Sequence, residues 1–177
     1  MNKSKFLDEL LDWLRTLAIT FTMVILIFTF VARTAKVNGG SMNNTLVHND
    51  FLIMWSLGYQ PKQGDIIAAN CEGLHEVIVK RIIAVGGQTV DINFKTGEVI
   101  VDGVVLNEPY IANPTINDEY GFTYPITVPE GKYFVMGDNR QGSRDSRDAA
   151  VGFVDREDIL GKVVLRVLPF DTFGIVK

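Results

Sequence analysis

Three stretches of this 177-residue chain carry side chains able to do chemistry. In "HEVIVKRIIAV", residues 75–85, Lys80 interrupts an apolar, β-branched run, and lysine is seldom buried without a partner. Alternate residues of a strand share a face, so Lys80 sits with Ile78 and Ile82 while Arg81 sits with Val79 and Ile83. Apolar surroundings disfavour the ammonium form. Lowering its pKa by roughly three units from about 10.4 costs about 4 kcal/mol, which folds bear where a neutral amine serves as general base. In "VNGGSMNNTL", residues 37–46, Ser41 follows two glycines, which let backbone amides come close to a ligand. A desolvated lysine can activate such a serine as a nucleophile, and the amide of Ser41 can itself hold an oxyanion. In "GDNRQGSRDSR", residues 137–147, Asp138, Arg140, Ser143, Arg144, Asp145 and Arg147 fall within eleven positions. Such a cluster is either a solvated turn of weak ion pairs or a buried network that holds a site rigid. Taken singly, the other two stretches also have plainer readings: Lys80 as an edge lysine with its head in water, and "GGSMNNT" as a loop.

The elements that must position these groups read as β-structure. "FLIMWSL" (51–57), "DIIAAN" (65–70), "EVIVKRIIAV" (76–85), "TVDINF" (89–94), "YFVMG" (133–137) and "KVVLRVLPF" (162–170) are short apolar or alternating runs. "EVIVDGVVL" (98–106) contains Asp102-Gly103, a hairpin turn signal. "DREDIL" (155–160) suits one helical turn, and "NPTINDEYGFTYP" (113–125), the least patterned part, reads as a surface excursion. The fold class expected is mainly β: a folded antiparallel sheet or barrel-like catalytic domain behind one N-terminal helix.

That helix is the other distinctive feature. Thr16 to Ala32 is free of charge, the short end of a membrane span. Before it, Phe6, Leu7, Leu10, Leu11 and Leu14 recur at helical spacing among acidic residues. We expect one helix over 4–32, divided as an amphipathic cytoplasmic N-terminus (1–15) and a transmembrane helix (16–33), with an extracytoplasmic β-rich domain at 34–177. A cleaved signal peptide is the other reading, but the exit lacks a small-x-small site. The formal net charge of -4 gives no basic surface for nucleic acid. Two histidines and one cysteine are too few for a dedicated zinc site, and neither a metal nor an organic cofactor is expected.

The three stretches occur together and in order, and the chain resembles a bacterial type I signal peptidase of the single-anchor, Gram-positive-like form. The resemblance rests on the N-terminal anchor, Ser41-Met42 with Thr45-Leu46, Gly64-Asp65-Ile66, Val79-Lys80-Arg81-Ile82-Ile83, and Gly137-Asp138-Asn139-Arg140 followed by Ser143, Asp145, Ser146 and Arg147. It implies a membrane serine endopeptidase that removes signal peptides from exported preproteins after small residues at the first and third positions before the cut. Ser41 is then the nucleophile and Lys80 the general base. Ser143 orients the lysine amine, Asp145 and Arg147 form a supporting ion pair, and Asp138 and Arg140 shape the same region. Met42 positions the loop or is ordinary core. The oxyanion falls to the backbone of Ser41, with Gly40 as a further donor. Two departures stand out: Asn44 occupies a position where the family usually has proline, and Gly39 supplies no hydroxyl two residues before the nucleophile. The rival readings are a Ser–Lys self-cleaving repressor, a sortase-type cysteine transpeptidase using Cys71 with His48 or His75, and a catalytically silent anchored β binding domain.

Overall fold

The protein is described from a computed structural model that covers residues 3–116 and 122–176, with the side chains of Lys3, Ser4, Phe6, Ile27, Phe28 and Phe30 left out of the description. Helix α1 (Lys3–Phe30) leads through the single turn residue Val31 into strand β1 (Ala32–Lys36). The helix therefore ends earlier than expected, and residues 32 and 33 belong to the sheet. The chain then forms β2 (Phe51–Trp55), β3 (Ile66–Cys71), β4 (Glu76–Val85), β5 (Thr89–Asn93), β6 (Glu98–Val101), β7 (Val104–Val105), β8 (Ile126–Thr127), β9 (Lys132–Met136), β10 (Val154–Asp155), β11 (Ile159–Leu168) and β12 (Gly174–Ile175).

Every strand pair is antiparallel. The larger sheet runs β1-β2-β11-β3-β4-β9-β10, with β12 paired to β11; the smaller runs β7-β6-β5-β8. Both sheets are open, so the barrel-like alternative gives way to folded sheets. The turn at Asp102-Gly103 has positive φ at both residues, 51° and 80°, which is the geometry that favours Asp-Gly between β6 and β7. Residues 156–158 form a single 3-10 turn.

Lys80 and its neighbours lie on a strand buried on both faces. Ile78 and Ile82 pack with Ile67, Val135 and Ile159, while Ile83 joins Val90, Val99, Phe134 and Met136 in the core between the sheets. A third cluster of Met42, Leu46, Leu52, Met54, Ile66 and Val163 underlies the serine loop. Met42 is thus core, only 1% exposed, and it anchors the loop by burial.

The excursion expected at 113–125 is only partly described, because residues 117–121 lie outside the described residues. At its described ends Asn113, Pro114, Ile116, Thr123 and Pro125 are exposed, as a surface excursion requires, while Thr115 is fully buried and Tyr124 packs edge-on against Phe94 and Phe134. The described apolar side chains of α1, among them Leu17, Ile19, Phe21 and Met23, are exposed. Among the described residues no helix is long and apolar enough to cross a membrane.

Candidate active site

The serine loop leaves β1 and returns to β2. Its turn closes through Asn43 N–H donating to the Gly40 carbonyl and Leu46 N–H to the Met42 carbonyl. Positive φ at Gly39, 97°, lets the chain bend just before Ser41. On the far side, Arg166 donates to the Thr45 carbonyl and to Asp50.

This loop brings Ser41 Oγ to 2.7 Å from Lys80 Nζ, although the two residues are 39 apart in sequence. Lys80 is 5% exposed. Burial pushes its pKa below the ordinary lysine value. Asp145 is the strongest opposing influence, followed by Glu76, while the Arg147 guanidinium adds to the lowering. Among the described residues the Ser41 N–H has no hydrogen-bond acceptor. The Gly39 N–H is already engaged, donating to His48 Nδ1 at 3.1 Å.

Residues 137–147 form the buried network rather than the solvated turn. Asp138, Arg140, Ser143, Asp145, Ser146 and Arg147 are all buried, whereas Gln141, Gly142 and Arg144 are exposed, Arg144 pairing with Asp148. Asp145 and Arg147 pair at 2.8 Å, and Asp145 also accepts the Gly137 N–H. Asp138 and Arg140 do not pair with each other. Asp138 accepts two bonds from Arg81 and one from Thr45, and Arg140 is held by Glu108. Ser143 departs from expectation. Its Oγ is buried without a hydrogen-bond partner, and the bond expected to the lysine amine is not made. It lies beside Gly137, where an added Cβ would come within 2.3 Å of Ser143 Oγ and 2.4 Å of the Ser41 carbonyl oxygen.

Sequence reasoning placed Arg81, Thr45 and Asn139 in its motifs without giving them a role, and it missed Glu108 and Thr115. Arg81 carried a signal: like Lys80, it is a charge in an apolar strand, and buried charges require partners. Asn139 clamps the serine loop by donating from its side chain to the Gly40 carbonyl and from its backbone to the Ser41 carbonyl. Glu108 carried no signal, since nothing local relates it to Arg140, 32 residues away.

A groove of about 610 Å³ opens beside Ser41 and Lys80. Residues 34–40 line one side and residues 76–79 the other. Cys71 does not line it; this thiol is buried, 3.8 Å from the Ala150 carbonyl.

The sequence pattern of the signal peptidase family, peptidase S26, matches residues 10–168. The chain belongs to that family. Over 171 residues it is 36% identical to a protein of Synechocystis sp. named probable signal peptidase I-2, covering 92% of this chain and 75% of that one. It is 33% identical over 176 residues to signal peptidase I P of Bacillus subtilis subsp. natto, covering 93% and 92%. A solved signal peptidase I from Enterococcus faecalis shares 35% identity over 59% of this chain and 97% of that one, with a TM-score of 0.48. Family membership makes this chain a peptidase of the signal peptidase I type.

Proposed function

We propose that this peptidase is a membrane-anchored serine endopeptidase that removes signal peptides from exported preproteins with a Ser41–Lys80 dyad. The observation that carries this reading is the 2.7 Å approach of Lys80 Nζ to Ser41 Oγ in a buried setting beside a groove. Neutral Lys80 takes the hydroxyl proton as Ser41 Oγ attacks the scissile carbonyl. The backbone N–H of Ser41, with Gly40 as a further donor, holds the oxyanion. Protonated Lys80 then gives its proton to the departing amine. Water, deprotonated by the same lysine, hydrolyses the acyl-enzyme.

The groove suits an extended peptide. Among the described residues, β1 pairs only with β2, and residues 76–79 pair only with β3, because β9 joins β4 from Arg81 onward. Both walls therefore keep backbone groups free for an added strand, whose alternate side chains fall on one face. Small residues at the first and third positions before the cut fit that alternation. α1 serves as the membrane anchor, with residues 1–15 cytoplasmic and the β-domain outside. The exposure of Leu17, Ile19, Phe21 and Met23 supports this, as does a length of 28 residues, about 42 Å at 1.5 Å per residue.

The test compares preprotein cleavage by the detergent-solubilised parent with that by Ser41→Ala, Lys80→Ala and Cys71→Ser. The first two substitutions lower kcat by about a thousandfold or more, and the third leaves it unchanged. Loss of activity in Cys71→Ser alone would instead favour thiol chemistry. No cleavage by any version favours a binding domain.

A further inference from the structure

Three buried arginines surround the serine loop, and each has its own carboxylate: Arg81 with Asp138, Arg147 with Asp145, and Arg140 with Glu108. The first two carboxylates belong to the charged stretch at 137–147. The third comes from the segment after the β6–β7 hairpin of the smaller sheet. Arg140 is completely buried. Its remaining acceptors are two neutral oxygens, the Thr115 hydroxyl at 2.7 Å and the Gly137 carbonyl at 3.1 Å. The Glu108 carboxylate, itself only 5% exposed, takes both terminal nitrogens of the guanidinium.

From Arg140 the contacts lead directly to the nucleophile. Its Nε fixes the carbonyl of Gly137, the glycine packed so tightly on the Ser41 carbonyl that no side chain fits between them. Two residues on, Asn139 N–H donates to that same Ser41 carbonyl at 3.0 Å. The Glu108 segment also reaches this turn through its backbone, with Ala112 N–H donating to the Asp138 carbonyl. Its next aromatic, Tyr110, donates to Glu108 and lies under the Arg81 guanidinium, 3.9 Å from the ring centre. One short segment thus touches the partners of both arms of the site.

We propose that Glu108 is a positioning residue for catalysis: by holding the Arg140 guanidinium it fixes the 137–139 turn against Ser41, and with it the serine–lysine geometry. The inference rests on the Ser41–Lys80 reading. Glu108 lies outside the groove and is not among the charges that act on Lys80. It therefore acts through the turn rather than through substrate contact or the lysine charge.

The test uses the full chain in detergent with a preprotein as substrate. It measures kcat, KM, the pH–rate profile and thermal unfolding for the parent, Glu108→Gln, Glu108→Asp and Ser41→Ala. Glu108→Gln keeps the side-chain shape and removes the charge. It is expected to lower kcat at least tenfold well below its unfolding temperature, leaving KM within twofold and the acidic limb of the profile in place. Glu108→Asp recovers part of the loss. If Glu108→Gln does not fold, Glu108→Asp carries the same kcat and KM expectation in smaller measure. An unchanged kcat in a folded variant whose only defect is a lower unfolding temperature overturns the proposal, because Glu108 is then structural only. A raised KM or a displaced acidic limb overturns it too. Should Ser41→Ala still cleave, the dyad reading fails, whatever the Glu108 variants do.

Discussion

At the scale of single residues, the proposed Ser–Lys chemistry depends on the proton of Lys80. Burial is the main influence lowering its affinity for that proton, and the nearby Arg147 guanidinium adds to it, whereas Asp145 and Glu76 favour the ammonium. In that mechanism only the neutral amine accepts from Ser41, so the rate is expected to rise with pH as the lysine deprotonates, with its limb below the free value of about 10.4. Glu76 offers a way to move that limb without touching the dyad, since it is exposed and lies on the rim of the groove. Its carboxylate stabilises the charged lysine. Removing the charge therefore lowers the pKa of Lys80 further, and the acidic limb of kcat in Glu76→Gln moves to lower pH. Glu72→Gln, a change at a carboxylate that does not act on Lys80, leaves the limb where it is. Parallel pH–rate profiles of the three proteins decide the matter, and a Glu76→Gln limb displaced upward would reverse the assigned sign.

At the scale of elements, a strand and two loops converge, and their legibility in sequence differs. β4 was readable over its full length, 76–85, because ten mostly β-branched residues leave little alternative, and the 98–106 hairpin was readable from Asp102-Gly103. The short strands β8, β10 and β12, two residues each, have no periodicity to read. β1, "ARTAK", follows directly on an apolar helix that masked its start. Ser41 and Lys80 stood out by residue type. The Glu108–Arg140 pair did not, because long-range partners leave no local trace.

Close approach of the 137–139 turn to the serine loop gives a prediction at this scale. A methyl group at Gly137 would meet backbone oxygen at 2.4 Å, and a carbonyl held by Asn139 cannot rotate away. Gly137→Ala therefore displaces Ser41 and lowers kcat by about a hundredfold, the typical cost of an ångström of misplacement. Gly103→Ala is the contrast: its site is open although φ is 80°. It costs about 1 kcal/mol of stability and leaves kcat unchanged. Comparable losses of activity in the two variants would count against a special role for the 137–139 turn.

For the whole molecule, the issue is where the groove sits relative to a bilayer. Ser41 lies nine positions after Ala32, a reach of at most about 30 Å when fully extended, and part of that reach is spent in β1. In the anchored arrangement proposed above, α1 in lipid keeps Ser41 near the membrane surface, where a signal peptide still in the bilayer would present its cleavage site. Confinement raises the encounter rate between enzyme and preprotein without altering the chemistry, as linked binding sites raise effective concentration. A chain lacking residues 1–31 is then expected to cleave a short soluble peptide with the kcat of the full chain. In lipid vesicles at equal low enzyme concentration, it processes a membrane-inserted preprotein at least about tenfold more slowly. Raising its concentration restores the rate, since the defect is one of encounter. Equal rates in vesicles at low concentration would remove the helix from the mechanism. A lost peptide kcat would show instead that α1 supports the catalytic domain itself.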